Sequence, residues 1–109
     1  MRRALVGTLL FAILLLAGCG AKPAPTLSVT AEQKGEGMVI HIATTNFQVG
    51  PDGHVHVRLN GGDEAMIYAN TYTIPKLEPG RYTVDVELSN AKHENLGVKQ
   101  SLQVEIKPN

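Results

Sequence analysis

From residue 26 onward, apolar and polar side chains alternate with a period of two. Leu27 and Val29 alternate first, then Met38, Ile40 and Ile42, then Val55, Val57 and Leu59. The pattern returns in Tyr82, Val84, Val86 and Leu88, and closes in Leu102, Val104 and Ile106. No window in this region sustains a period of 3.6, so half-buried strands are expected, not helices. Weaker alternation marks strands around Met66–Tyr68 and Tyr72–Ile74. Turn-forming groups separate the runs: Lys34-Gly35-Glu36-Gly37, Gly50-Pro51-Asp52-Gly53, Asn60-Gly61-Gly62-Asp63 and Glu78-Pro79-Gly80. The strands are predicted over residues 26–31, 37–44, 54–60, 64–68, 71–75, 81–89 and 98–107.

About seven short strands in so small a region predict an all-β domain, a small immunoglobulin-like or fibronectin-III-like β-sandwich. A domain of this size buries only a modest core, so its strands must share one apolar layer. The Pro79-Gly80-Arg81-Tyr82 segment fits the corner that precedes the sixth strand of such sandwiches. There Tyr82 is expected to hydrogen-bond nearby backbone. In this topology the third, sixth and seventh strands share a sheet. The loop entering the third strand and the loop leaving the sixth then emerge at the same end.

The first eighteen residues are of another kind. Arg2 and Arg3 precede an almost wholly apolar run from Ala4 to Ala17. Fourteen helical residues would span about 21 Å, short of a hydrocarbon core of about 30 Å. A basic start and a short apolar run are the layout of a helical export signal. The run ends in Leu16-Ala17-Gly18-Cys19, and Cys19 is the sole cysteine. This segment resembles the lipobox of bacterial lipoproteins. That resemblance implies removal of residues 1–18 and lipidation of Cys19. It also implies a protein anchored to a membrane in the cell envelope, on the extracytoplasmic side. Two acyl chains anchor stably where one is marginal. Residues 19–25 then form the lipidated terminus and a Pro- and Ala-rich tether, and residues 26–109 the sandwich.

Charge and composition narrow the functions. Ten basic and ten acidic residues balance over the whole chain. Loss of Arg2 and Arg3 leaves about −2, which argues against nucleic acid as a partner. A single cysteine excludes an internal disulfide and a cysteine-rich zinc cage. No G-x-S-x-G motif and no phosphate-binding glycine loop occurs, so an enzyme is not expected.

Histidines carry the candidate chemistry. In His54-Val55-His56, Val55 belongs to the apolar set, so both histidines are expected on the outer face with Arg58. Residues two apart on a strand lie about 6.6–6.8 Å apart along the backbone. From that spacing two imidazoles can converge on one ion at about 2.0–2.1 Å. His93, in the loop after the sixth strand, is expected at the same end. His54, His56 and His93 therefore form a candidate three-nitrogen metal site for copper or zinc. Asp52, Asp85 and Glu87 are possible carboxylate neighbours, and participation of Met66 would favour Cu(I). His41 is expected to face outward in the opposite sheet, away from the site. The competing reading is that these histidines are solvated side chains on a half-exposed sheet.

Residues Gly53–His56, Pro79–Val84 and Asn90–His93, with the closing strand, resemble small bacterial envelope sandwich domains carrying a Gly-His-x-His strand. Leu77–Ile106 is also similar to periplasmic copper-resistance proteins of the C type. That resemblance places His93 at their loop histidine. Lys92 stands where those proteins carry a small glycine, their loop aspartate is absent, and a lipidated Cys19 excludes an amino-terminal histidine ligand. Two functions follow. One is a membrane-anchored lipoprotein domain that binds copper or zinc. The other is a non-catalytic interaction or structural lipoprotein that meets an envelope protein through a sheet edge or loops.

Overall fold

The computed structural model describes residues 23–108; residues 1–18, the expected export signal, and Cys19 lie outside the described residues. Seven strands follow in chain order: β1 (Thr26–Lys34), β2 (Gly37–Thr45), β3 (Gly53–Leu59), β4 (Ala65–Ile67), β5 (Thr71–Ile74), β6 (Gly80–Asn90) and β7 (Asn95–Ile106). They form two antiparallel sheets, a three-stranded sheet ordered β1-β2-β5 and a four-stranded sheet ordered β4-β3-β6-β7. The fold is therefore the expected all-β sandwich.

Alternation decides what lies between the sheets. Val29, Met38, Ile40 and Ile42 from one sheet meet Val55, Val57, Val84, Val86 and Leu88 from the other. All are buried, and Met38, Ile40, Val55, Val84 and Leu88 are fully so. Each such side chain contributes about 1.5–3 kcal/mol by leaving water. Phe47, from the β2–β3 connection, closes the core.

Two glutamines bridge the outer strands of the sandwich. The Gln100 side chain accepts from Val29 N at 2.9 Å and donates to Val29 O at 3.2 Å. Gln33 does the same for the Lys107 backbone, at 2.9 Å in each direction. Amide side chains thus satisfy backbone groups that an open sheet edge would leave unpaired.

The Tyr82 corner forms as expected, its hydroxyl donating to Glu78 O at 2.7 Å. Strand β7 begins at Asn95, three residues earlier than the alternation shows. Gly97, at φ 76°, breaks the two-residue pattern near its start. Gly53 opens β3 opposite Asn90, the last residue of β6, so the two loops do emerge at one end.

Candidate metal centre

Register places the site. On β3, Val55 and Val57 enter the core, which turns His54, His56 and Arg58 to the opposite face of the four-stranded sheet. His56 sits opposite Met66 on β4 and Glu87 on β6. His54 sits opposite Ser89, and Arg58 opposite Asp85.

His54 and His56 leave the core as expected, but they are not solvated. His54 is 1% exposed and His56 7%. The reading of solvated side chains on a half-exposed sheet is corrected for these two, while His41 and His93 are exposed. Neighbours on the outer face cover the pair. The His54 ring centroid lies 4.7 Å from that of His56, 4.7 Å from that of His93 and 5.1 Å from that of Tyr68. Burying a polar ring costs about 1–3 kcal/mol unless its nitrogens find partners.

The partners are mostly each other. Nε2 of His54 lies 2.9 Å from Nε2 of His56. Nδ1 of His56 lies 3.2 Å from Oε2 of Glu64. That approach is poorly aligned, so this buried nitrogen has no hydrogen-bond partner among the described residues. Each of His54, His56 and His93 offers a ring nitrogen, and these nitrogens lie within 4.8 Å of one another. The three residues can hold a metal ion.

A four-residue turn delivers His93. Oδ1 of Asn90 accepts from Lys92 N and Glu94 N, each at 2.9 Å, and Nδ2 of Asn90 donates to Glu94 Oε1 at 2.8 Å. His93 N donates to Asn90 O at 3.0 Å. His93 itself is held at φ 65°, the left-handed region that a side chain with a Cβ adopts at a cost. This backbone carries an exposed imidazole back over the buried pair.

Other expected neighbours stand elsewhere. The Asp52 carboxylate accepts from Gln48 N at 2.7 Å and organises the β2–β3 loop. Asp85 accepts from the Ser101 hydroxyl. Neither they nor Glu87 join the three-histidine group. Met66 flanks His56 in register and is half exposed. His41 lies in the three-stranded sheet, exposed and 3.5 Å from Glu32, outside the site. Sequence reasoning missed Glu64 and Tyr68. The signal for both was present: alternation through the buried Ile67 puts Glu64, Met66 and Tyr68 on the histidine face. What it lacked was the hairpin register that sets them beside β3.

Burial holds the His54 pKa below its ordinary value of 6.5, with His56 and His93 adding to the fall and Glu64 opposing it. His54 is therefore a neutral imidazole at neutral pH, the form that binds metal. The sign for stability follows. Between 6.5 and the lower folded value, the unfolded chain binds more protons than the folded one. Without metal, stability should fall as pH drops below 6.5 and level off once the folded pKa is passed. Urea midpoints measured in chelator across that range check this. A midpoint that rose on acidification would contradict it.

The outer face also carries a groove of about 460 Å³ beside His56, bounded by Arg58, Glu64, Asp85, Glu87 and Lys99. It touches the Glu64 side of His56, not His54 or His93.

No protein-family model matches the chain. No curated protein matches it either. Solved structures do share its fold. The extracellular domain of BT3049 from B. thetaiotaomicron, named as a hybrid two-component system, superposes with a TM-score of 0.63 at 14% identity. That match covers 85% of this chain and 16% of the larger one. The extracellular domain of BT4673 from the same organism gives a TM-score of 0.50 at 15% identity, covering 67% and 10%. The chain thus spans only a small part of either relative's length. At such identities the likeness is one of fold.

Proposed function

We propose that this protein is an envelope lipoprotein whose sandwich domain binds a single copper or zinc ion through His54, His56 and His93. One observation carries the reading: two fully or nearly buried imidazoles face each other and a third closes over them, all within 4.8 Å. A solvated face has no reason to bury two imidazoles against one another, and their Nε2 atoms have only each other as hydrogen-bond partners, so an ion held between them would be a natural occupant. The ring nitrogens of a three-imidazole set suit Cu(II) or Zn(II).

The strand order, with β3, β6 and β7 in one sheet and the short β4 at its edge, supports an immunoglobulin- or fibronectin-III-type domain. The basic and apolar start with Leu16-Ala17-Gly18-Cys19 supports export and lipidation at Cys19. Similarity in fold to extracellular domains agrees with an extracytoplasmic location. The reading is of a binding domain.

A second reading is a structural or interaction lipoprotein without metal, favoured by the likeness to one small part of larger extracellular chains. Isothermal titration of the chain in detergent with Cu(II) and Zn(II) separates the two. The expected result is 1:1 sub-micromolar binding of one ion, weakened by about two orders of magnitude or more, about 2.7 kcal/mol, in the His54→Ala/His56→Ala/His93→Ala variant. Binding equally strong in that variant would leave the second reading standing.

A further inference from the structure

We propose that Glu64, held by Arg58, is the positioning residue of the metal site. It fixes the tautomer of His56 and so turns that residue's Nε2 lone pair toward the ion. The inference rests on the metal reading above but makes a claim about the metal-free protein as well.

The geometry begins with the β3–β4 hairpin. Arg58 Nη1 donates to Gly62 O at 2.8 Å, and Nη2 donates to Glu64 Oε2 at 3.2 Å. The guanidinium thus ties its own strand to the turn and to the first residues beyond it. The same Oε2 lies 3.2 Å from His56 Nδ1. Glu64 is the sole carboxylate within ion-pair distance of His56 among the described residues.

Tautomer logic follows from the acceptor-only character of a carboxylate. A neutral imidazole carries one proton. If His56 kept it on Nε2, a bare, buried Nδ1 lone pair would lie 3.2 Å from the Glu64 oxygen, one acceptor beside another. If His56 keeps it on Nδ1, that N–H has the carboxylate oxygen 3.2 Å away and Nε2 is free. The 2.9 Å contact between the two Nε2 atoms needs one donor. His54 then supplies it, as Nε2–H to the His56 lone pair. The order is then the Glu64 carboxylate 3.2 Å from His56 Nδ1–H, and the His56 Nε2 lone pair accepting from His54 Nε2–H.

For both residues to hold an ion through Nε2, the His54 proton would have to leave that nitrogen, for Nδ1 of the same ring or for solvent. His56 needs no rearrangement, because Glu64 has already placed its proton on the far nitrogen. Carboxylate–imidazole pairs of this kind raise ligand basicity, and their loss typically weakens metal affinity about 10–100-fold. The groove beside His56 reaches this carboxylate, so the outer partner of the site is open to solvent on one side.

The test uses the 15N-labelled chain in detergent, metal-free and at neutral pH, as wild type, Glu64→Ala and Glu64→Gln. Long-range 1H–15N spectra read the His56 tautomer directly. The Nδ1–H form is expected to dominate in the wild type and to lose that dominance in Glu64→Ala. In Glu64→Gln the amide can accept or donate, so an intermediate population is expected. Cu(II) affinity should fall about 10–100-fold in Glu64→Ala with the thermal midpoint of the metal-free protein little changed. An unchanged His56 tautomer in Glu64→Ala would overturn the proposal, as would a wild type already in the Nε2–H form. If the wild type binds neither Cu(II) nor Zn(II), the metal reading fails, while the tautomer comparison still decides what Glu64 does.

Discussion

Replacing Gly53 with alanine is expected to destabilise the domain by about 3–5 kcal/mol, a large part of what a small domain has. Gly53 opens β3 at φ 153°, a conformation that side chains bearing a Cβ rarely adopt. Its Cβ position is also occupied. A methyl group there would overlap the Ser89 carbonyl oxygen and come within 2.8 Å of Asn90 Cα. Both obstacles are backbone, so no side-chain rotation relieves them. Overpacking and backbone strain each cost about 1–3 kcal/mol. The strands could part only by losing the pairing of Gly53 with Asn90, which aligns His54 with the His93 turn. Thermal or urea unfolding of Gly53→Ala measures the effect. Loss of metal affinity should accompany it even where the variant remains folded. A midpoint within a degree or two of wild type would contradict this account of the β3–β6 junction.

His93→Asn should separate stability from binding. The residue sits at φ 65° in a turn whose hydrogen bonds come from Asn90 and the backbone, not from the imidazole. Asparagine tolerates the left-handed region better than most side chains with a Cβ. The metal-free variant is therefore expected to unfold at the wild-type midpoint or slightly above. Its affinity for Cu(II) should drop about tenfold to a hundredfold, about 1.4–2.7 kcal/mol, through loss of the third imidazole. A stabilising shift on adding metal, clear in the wild type, should shrink in step. The opposite result, a destabilised variant with unchanged affinity, would make His93 a structural element of the turn.

The site has two parts of different origin. His54 and His56 belong to a strand whose other face is core, so their positions are fixed as firmly as the fold. His93 belongs to a turn and reaches the pair from outside.

Much of this was legible along the chain. Val55 and Val57 had to enter the core, and a period of two then put His54 and His56 together on the other face. The glycine and proline clusters marked where strands end. The Pro79-Gly80 corner and the Tyr82 bond followed from local chemistry. The common end of the two loops followed from the sandwich topology, and with it the meeting of His93 with His54. These are consequences of short-range geometry and of one rule about which face is wet.

Burial of the histidines was not legible. Alternation says which face a side chain leaves the sheet on, and says nothing of what lies over that face. Tyr68, His93 and the neighbouring ring cover His54 only because the β3–β4 and β6–β7 hairpins take particular registers. Glu64 reached His56 for the same reason: a turn at Gly61-Gly62 sets β4 against β3, with Arg58 drawing the carboxylate in. Sequence alone determined the strands, the face and the three candidate ligands. Tertiary structure decided that the face is dry at those positions, because only packing between hairpins removes water from an outward-pointing ring.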